Sequence, residues 1–229
     1  MSEEETAQRV RALRAEGRSP KEIARALGLR PAAVAPIVQL MAREAAAMAP
    51  EPALVGCWVS SGWSEGLTAP HDWPDRAGRG SETSGLASVL VVRAHRYGKV
   101  SACGYLVDVY CLGAKEVLGP RVIDQAELPR FVQHFFSAYD VPPIEASIDL
   151  ARHLVWGAID YARGLGFEPD RSFPPAAGHL GPLTQPSRIG FGRHGKPYFV
   201  QGPRDDAAGV LETLEASVGT GNFHFLVAV

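Results

Sequence analysis

The N-terminal part of the chain contains the stretch SPKEIARALGLRP (residues 19–31), which combines a helix start, a short helix and a tight stop. Ser19 is a natural N-cap, Pro20 fits the first helical position, and Glu22 stands three residues after the cap, as in a capping box. Gly28 can adopt the left-handed conformation that ends a helix. The apolar stripe of this helix consists of Ile23, Ala24 and Leu27. The stretch therefore predicts a helix of about two turns followed by a tight turn.

Apolar residues recur at helical spacing on both sides of this stretch. Before it, Val10 and Leu13 predict a first helix between Thr6 and Gly17. After it, Pro31 is expected to open a third helix. The inward-facing residues of that helix would be Val34, Ile37, Val38 and Met41. The sequence thus predicts a unit of three short helices over residues 1–49.

Two helices that cross steeply at a short turn need small residues at the crossing, and Ala24 and Gly28 are placed there. The wider pattern consists of Gly17, Ser19, Lys21, Glu22, Ile23, Ala24, Leu27, Gly28, Leu29 and Val34. On these residues the segment resembles the homeodomain-like helix-turn-helix of bacterial regulators, recombinases and sigma-factor terminal regions. The resemblance implies DNA binding, with the third helix in the major groove and the first two helices against the phosphate backbone.

Positive charge is concentrated in the same segment. Between Thr6 and Arg43 there are eight Lys and Arg residues against two Glu, whereas residues 54–229 carry 15 basic and 18 acidic side chains. This asymmetry favours contact with phosphates, because the net charge of −2 for the whole chain would not attract a polyanion. The candidate phosphate-binding residues are Arg11, Arg14, Lys21, Arg25 and Arg30, and the candidate base-contacting residues are Gln39 and Arg43.

The outward positions of the third helix predict weak sequence selectivity. Ala32, Ala35 and Pro36 cannot form hydrogen bonds with base edges, so only Gln39 and Arg43 could read a base. Pro36 also removes a backbone donor from the helix interior and is expected to kink the helix. Such a surface leaves open a third role, in which the unit contacts a protein and the chain is a non-enzymatic adaptor.

The rest of the chain predicts an α+β domain over residues 54–229, joined to the helical unit by a Pro-rich linker at 50–53. Valine-rich and leucine-rich segments around Gly98 predict an antiparallel hairpin, and a second hairpin is expected over residues 189–200. The long loop at 64–84 is expected to be disordered. The remaining predicted elements are strands at 54–63 and 222–229 and helices at 125–139, 144–165 and 207–218.

Two places in this domain are candidates for catalysis. Asp149, His153 and Asp160 are spaced to lie near one helix face, where a carboxylate could orient the imidazole as a general base. Asp108 interrupts an apolar strand and requires a partner if buried, for which Lys115 or an arginine would serve. The more ordinary interpretation of both is structural, as an exposed ion-paired helix face and a buried pair.

Several classes of function lack a sequence signal. The chain has no phosphate-binding glycine loop, no hydrolase elbow and no zinc spacing, so no cofactor or metal is expected. Its three cysteines are expected to be reduced thiols, and the acidic N-terminus and short apolar runs favour a cytoplasmic protein without a membrane span.

The sequence favours a DNA-binding transcriptional regulator with a C-terminal sensing or assembly domain. A homodimer would strengthen the binding of a weak helix-turn-helix. The alternative is an enzyme with its site around Asp108, Asp149 and His153, in which the helical unit is a docking arm.

Overall fold

The computed structural model describes residues 3–48, 51–75 and 85–227. By its internal contacts the chain divides into two units, Met1–Glu51 and Pro52–Val229. The first consists of three helices and the second of a five-stranded antiparallel sheet with packed helices, so the fold class is α+β, as the sequence predicts.

The first unit is a bundle of three helices, α1 (Glu3–Ala15), α2 (Pro20–Leu27) and α3 (Pro31–Met48). The capping box predicted before α2 is present: the backbone N–H of Glu22 donates to Ser19 Oγ, and the backbone N–H of Ser19 donates to Glu22 Oε2 at 2.8 Å. Gly28 ends α2 with a φ of 64°, a left-handed conformation that glycine adopts at little cost. The buried core consists of Val10, Ile23, Ala24 and Val34.

The second unit is built on a sheet with the strand order β4-β3-β2-β1-β5, in which all neighbours are antiparallel. The predicted hairpin around Gly98 is confirmed as the β2–β3 pair. The strands are β1 (Leu54–Val59), β2 (Leu86–Ala94), β3 (Lys99–Asp108), β4 (Gly113–Asp124) and β5 (Ile144–Glu145). Beside Pro120 the β3–β4 register shifts between Ala102 and Gly104.

Helices cover both faces of this sheet because β2 and β3 are apolar on both sides. The first face packs against α5 (Ile148–Gly164) and α6 (Phe173–Leu180). The second face packs against α4 (Leu128–Phe135), which follows a single 3-10 turn at Gln125–Glu127. A third apolar cluster joins α7 (Ala207–Val218) to a small parallel sheet of β6 (Tyr198–Val200) and β7 (His224–Leu226).

Two sequence predictions for this unit are wrong, and two of its elements were not predicted. The predicted hairpin at 189–200 is absent, because β6 pairs in parallel with β7. Residues 64–75 of the loop expected to be disordered are ordered, since the Asp75 carboxylate accepts hydrogen bonds from the backbone N–H groups of Gly62 and Ser64. The remainder of that loop, 76–84, lies outside the described residues. The two elements without a sequence prediction are β4 and α6.

A buried arginine fastens α6 to the sheet. Arg93 of β2 is 3% exposed, and its guanidinium donates to the carbonyl oxygens of His179, Leu180 and Pro52 at 2.6–3.2 Å. The first two carbonyls belong to the last turn of α6, where backbone acceptors lack partners within the helix. Arg93 therefore acts as a C-terminal cap supplied by a neighbouring strand.

We expect Arg93→Met to lower the free energy of unfolding of this unit by about 3 kcal/mol, because the carbonyl oxygens of His179 and Pro52 lose the Arg93 donor and that of Leu180 keeps only Arg152. Urea unfolding followed by tryptophan fluorescence measures this, since all four tryptophans lie in the second unit. The exposed Arg96 provides the control: Arg96→Met should change stability by less than about 0.5 kcal/mol. Equal effects of the two substitutions would show that the cap does not stabilise the fold.

Candidate functional site

Basic side chains cover the surface of the three-helix unit. Every Lys and Arg side chain that the structure describes in this unit is exposed: Arg9, Arg11, Arg14, Arg18, Lys21, Arg25 and Arg30. Five of them are the phosphate-binding candidates from the sequence. The other two candidates, Gln39 and Arg43, belong to α3, but their side chains lie outside the described residues.

Some of this charge is compensated within the unit and some is not. Arg18 pairs with Glu16 at 3.1 Å, and Arg14 donates to the backbone carbonyl of Arg18 at 2.8 Å. Among the described residues, the side chains of Lys21 and Arg25 form no hydrogen bond or ion pair. These two residues are four apart on α2, so the two cations lie on the same face of the helix.

The acidic residue nearest to this pair has a structural role. The Glu22 carboxylate accepts hydrogen bonds from both the side chain and the backbone N–H of Ser19, and these bonds lower the pKa of Glu22. Its oxygens are therefore held at the start of α2 and do not pair with Lys21 or Arg25. The exposed side of α2 keeps an unpaired positive charge on two consecutive turns.

The first turns of α3 present small side chains. Ala32, Ala33 and Pro36 are exposed, while Val34 is fully buried in the core. None of the three exposed side chains carries a hydrogen-bonding group. The described part of this surface could approach another molecule closely, but it could not select among bases by hydrogen bonding.

In the second unit, the Asp108 carboxylate is buried and bound by its own turn. Its Oδ1 accepts hydrogen bonds from the backbone N–H groups of Tyr110 and Cys111, both at 2.9 Å. The expected partner Lys115 instead binds Asp205, at 2.5 Å between Nζ and Oδ2. Asp108 therefore organises the turn between β3 and β4. Burial raises the pKa of Asp108 to about 6, against the opposing effects of the backbone donors and Lys115.

This shift predicts how the stability of the second unit depends on pH. The pKa of Asp108 is higher in the folded state than in the unfolded state, so the folded protein binds more protons between about pH 4 and pH 6. The contribution of Asp108 to stability is therefore largest at low pH and decreases as the pH rises, by about 3 kcal/mol in total.

We expect Asp108→Asn to remove this dependence, because an asparagine oxygen can accept the same backbone hydrogen bonds without a charge. Urea unfolding at pH 4.5 and pH 7 measures it. The unfolding free energy of the wild type minus that of the variant should be smaller at pH 7 than at pH 4.5. A constant difference between the two proteins across this range would contradict the assignment.

The other catalytic candidates, Asp149 and His153, lie on α5. The His153 ring is fully buried, its Nδ1 accepts the backbone N–H of Arg188 at 3.0 Å, and its Nε2 lies 3.8 Å from Asp149 Oδ1. Trp73 packs on the imidazole with 5.2 Å between ring centroids, and the Arg188 guanidinium lies over Trp73. Among the described residues, Asp108 forms no hydrogen bond or ion pair with Asp149 or His153, so the three candidates do not form one cluster.

This geometry selects one tautomer of the neutral His153 ring. Because Nδ1 accepts a hydrogen bond, the neutral ring carries its proton on Nε2, which leaves no free acceptor nitrogen for a substrate proton. Burial lowers the pKa of His153, and Arg188 lowers it further, while Asp149 opposes the change. Arg188 carried no signal in the sequence, because its contact joins positions 35 residues apart.

An NMR titration of the imidazole tests this state. We expect a neutral ring protonated on Nε2 and a pKa below the usual 6.5. Asp149→Asn should lower this pKa further, because it removes the charge that favours the imidazolium. The matched substitution Asp160→Asn alters a carboxylate that pairs with Arg163, and it should leave the titration of His153 unchanged. A pKa above 6.5 would overturn the assignment.

Comparisons with known proteins give no assignment: no protein-family model, curated protein or solved structure matches the chain. Among the described residues, no three His, Cys, Asp or Glu side chains are grouped to hold a metal ion. No helix in the described ranges is both long enough and apolar enough to cross a membrane.

Proposed function

We propose that the three-helix unit binds double-stranded DNA mainly through phosphates and with little sequence selectivity. The observation that carries this proposal is the unpaired Lys21 and Arg25 on one face of α2, within a unit whose described basic side chains are all exposed. The resemblance of residues 17–34 to a helix-turn-helix supports the same function. In that arrangement α3 enters the major groove and α2 crosses the backbone.

The charge distribution on α2 favours a polyanionic partner. Like charges four residues apart destabilise a helix, by about 0.2–0.5 kcal/mol per pair. A phosphate close to both groups would replace this repulsion with attraction and release condensed counterions from the DNA. Glu22 keeps its negative charge, but its carboxylate is held by Ser19 at the start of α2 and forms no ion pair that would neutralise Lys21 or Arg25.

The small side chains on α3 support weak base readout. A helix that exposes Ala32, Ala33 and Pro36 can lie close to the groove, but it discriminates little between bases through them. Gln39 and Arg43 remain the proposed base contacts. With this role, the protein would be a cytoplasmic regulator, and a homodimer would raise its affinity for DNA.

The double substitution Lys21→Gln/Arg25→Gln tests the proposal. We expect weaker binding to a random-sequence duplex, and a log–log salt slope that is smaller by about 1.8, because two phosphate contacts are lost. Fluorescence anisotropy of the full chain at several salt concentrations measures both quantities. The matched control is Arg96→Gln/Lys99→Gln, which removes one Lys and one Arg from the exposed end of the β2–β3 hairpin in the second unit.

The outcomes separate DNA binding from the adaptor role. Loss of affinity in the α2 variant but not in the hairpin variant would support phosphate contact by α2. Equal losses would indicate a nonspecific effect of net charge. An absence of binding to DNA at low salt would overturn the proposal and favour a protein partner for the three-helix unit.

A further inference from the structure

The second face of the sheet contains a cavity that α4 leaves open. Its volume is about 450 Å³, which lies within the range of about 300–1,000 Å³ for small-molecule sites. Ser88 and Gly104 form part of the sheet surface in the cavity. The apolar walls are formed by Leu106, Leu118, Phe131 and Phe135.

The aromatic wall depends on the absence of a side chain at Gly104. A Cβ atom built there would lie 2.2 Å from the Phe135 ring, so the ring rests directly on the backbone of β3. On the neighbouring strand, Leu118 is the register partner of Gly104 and is 59% exposed. An apolar ligand body packed against Phe135 and Leu118 would therefore remove apolar surface from water, which favours binding.

The charged groups of the cavity are not balanced. Glu116 is already paired, because its Oε2 accepts from Arg204 Nη2 at 2.7 Å. Arg121 also lines the cavity, and its side chain forms no ion pair or hydrogen bond with any residue that the structure describes. The imidazole of His134 lines the same wall as Phe131 and likewise has no such partner. The cavity therefore offers an unpaired cation beside an apolar surface.

We propose that this cavity binds a small organic carboxylate with an aromatic body. The ring packs against Leu118 and the two phenylalanines of α4, and the carboxylate pairs with Arg121. A guanidinium suits this role because its planar fork can donate two parallel hydrogen bonds to a carboxylate. The site goes beyond DNA binding, and its test requires no DNA, so the two proposals can fail independently.

Calorimetric titration of the full chain with 1-naphthoate tests the site, and 1-naphthylmethanol serves as the uncharged analogue. We expect 1-naphthoate to bind with a Kd of about 0.1–1 mM and the alcohol to bind at least about tenfold more weakly. Chemical-shift changes at the amides of Gly104 and Gly119, which lie in the cavity wall, should identify the site.

Substitutions separate the charge from the apolar contact. Arg121→Gln should weaken 1-naphthoate binding about tenfold without affecting the alcohol, and Arg121→Lys should restore part of the loss. Leu118→Ala should weaken both ligands. Both side chains are exposed, so the variants should fold, which circular dichroism checks. Arg96→Gln removes an arginine outside the cavity and should change neither affinity.

Three results would overturn the proposal. One is no detectable binding of 1-naphthoate at 10 mM, on the order of ten times the weakest expected Kd. Another is equal binding of the alcohol and the carboxylate. The third is an equal loss of 1-naphthoate affinity in Arg121→Gln and Arg96→Gln.

Discussion

The packing of the second unit depends on the hydrogen bonds that the Arg93 guanidinium donates to the end of α6. Backbone carbonyls at the end of a helix cannot be buried without donors, and α6 ends against an apolar sheet face. Arg93 reaches two of them from β2, while Arg152 and Trp156 of α5 donate to the carbonyls of Leu180 and Gly181. One helix end is thereby connected to both the sheet and the adjacent helix, and the first face of the sheet stays buried.

The helices cover the two faces of the sheet to different extents, and the cavity lies on the face that is covered less. The 17-residue α5 and the clamped α6 cover the first face, whereas the eight-residue α4 covers the second. The short α4 packs on the sheet through Leu128, Phe131, Val132 and Phe135 but leaves Leu118 59% exposed, so part of an apolar surface stays open. In the three-helix unit, the capping box has a comparable effect on charge, because it uses the carboxylate of Glu22 and leaves the neighbouring cations unpaired.

Local signals in the sequence predict the elements that depend on local physics. The Ser19 cap, the Gly28 stop and the glycine turn of the β2–β3 hairpin are each encoded within a few residues. β4 escapes prediction because it is an edge strand whose polar and exposed positions hide the alternation of a half-buried strand.

The other errors have two origins, a local proline signal that was misinterpreted and contacts between distant parts of the chain. The prolines at the start of α6 suggest a loop, although proline is well suited to the first turn of a helix. The turn near His194 is real, but the strand after it pairs with β7, which no local pattern could indicate. Similarly, the basic residues of the candidate DNA-binding surface could be identified from charge alone, whereas the environment of His153 depends on Trp73 and Arg188 from distant loops.

The shape of β4 restricts how two copies of this chain could associate. An edge strand with free backbone donors and acceptors can pair with a strand of another molecule. In β4, Pro120 lacks a backbone donor and the neighbouring bulge interrupts the register, and both disfavour such pairing. The opposite edge, β5, has only two residues. The five-stranded sheet is thus poorly suited to continue into a second molecule. A dimer formed on this sheet would have to use side-chain surfaces, because both of its edges disfavour strand addition.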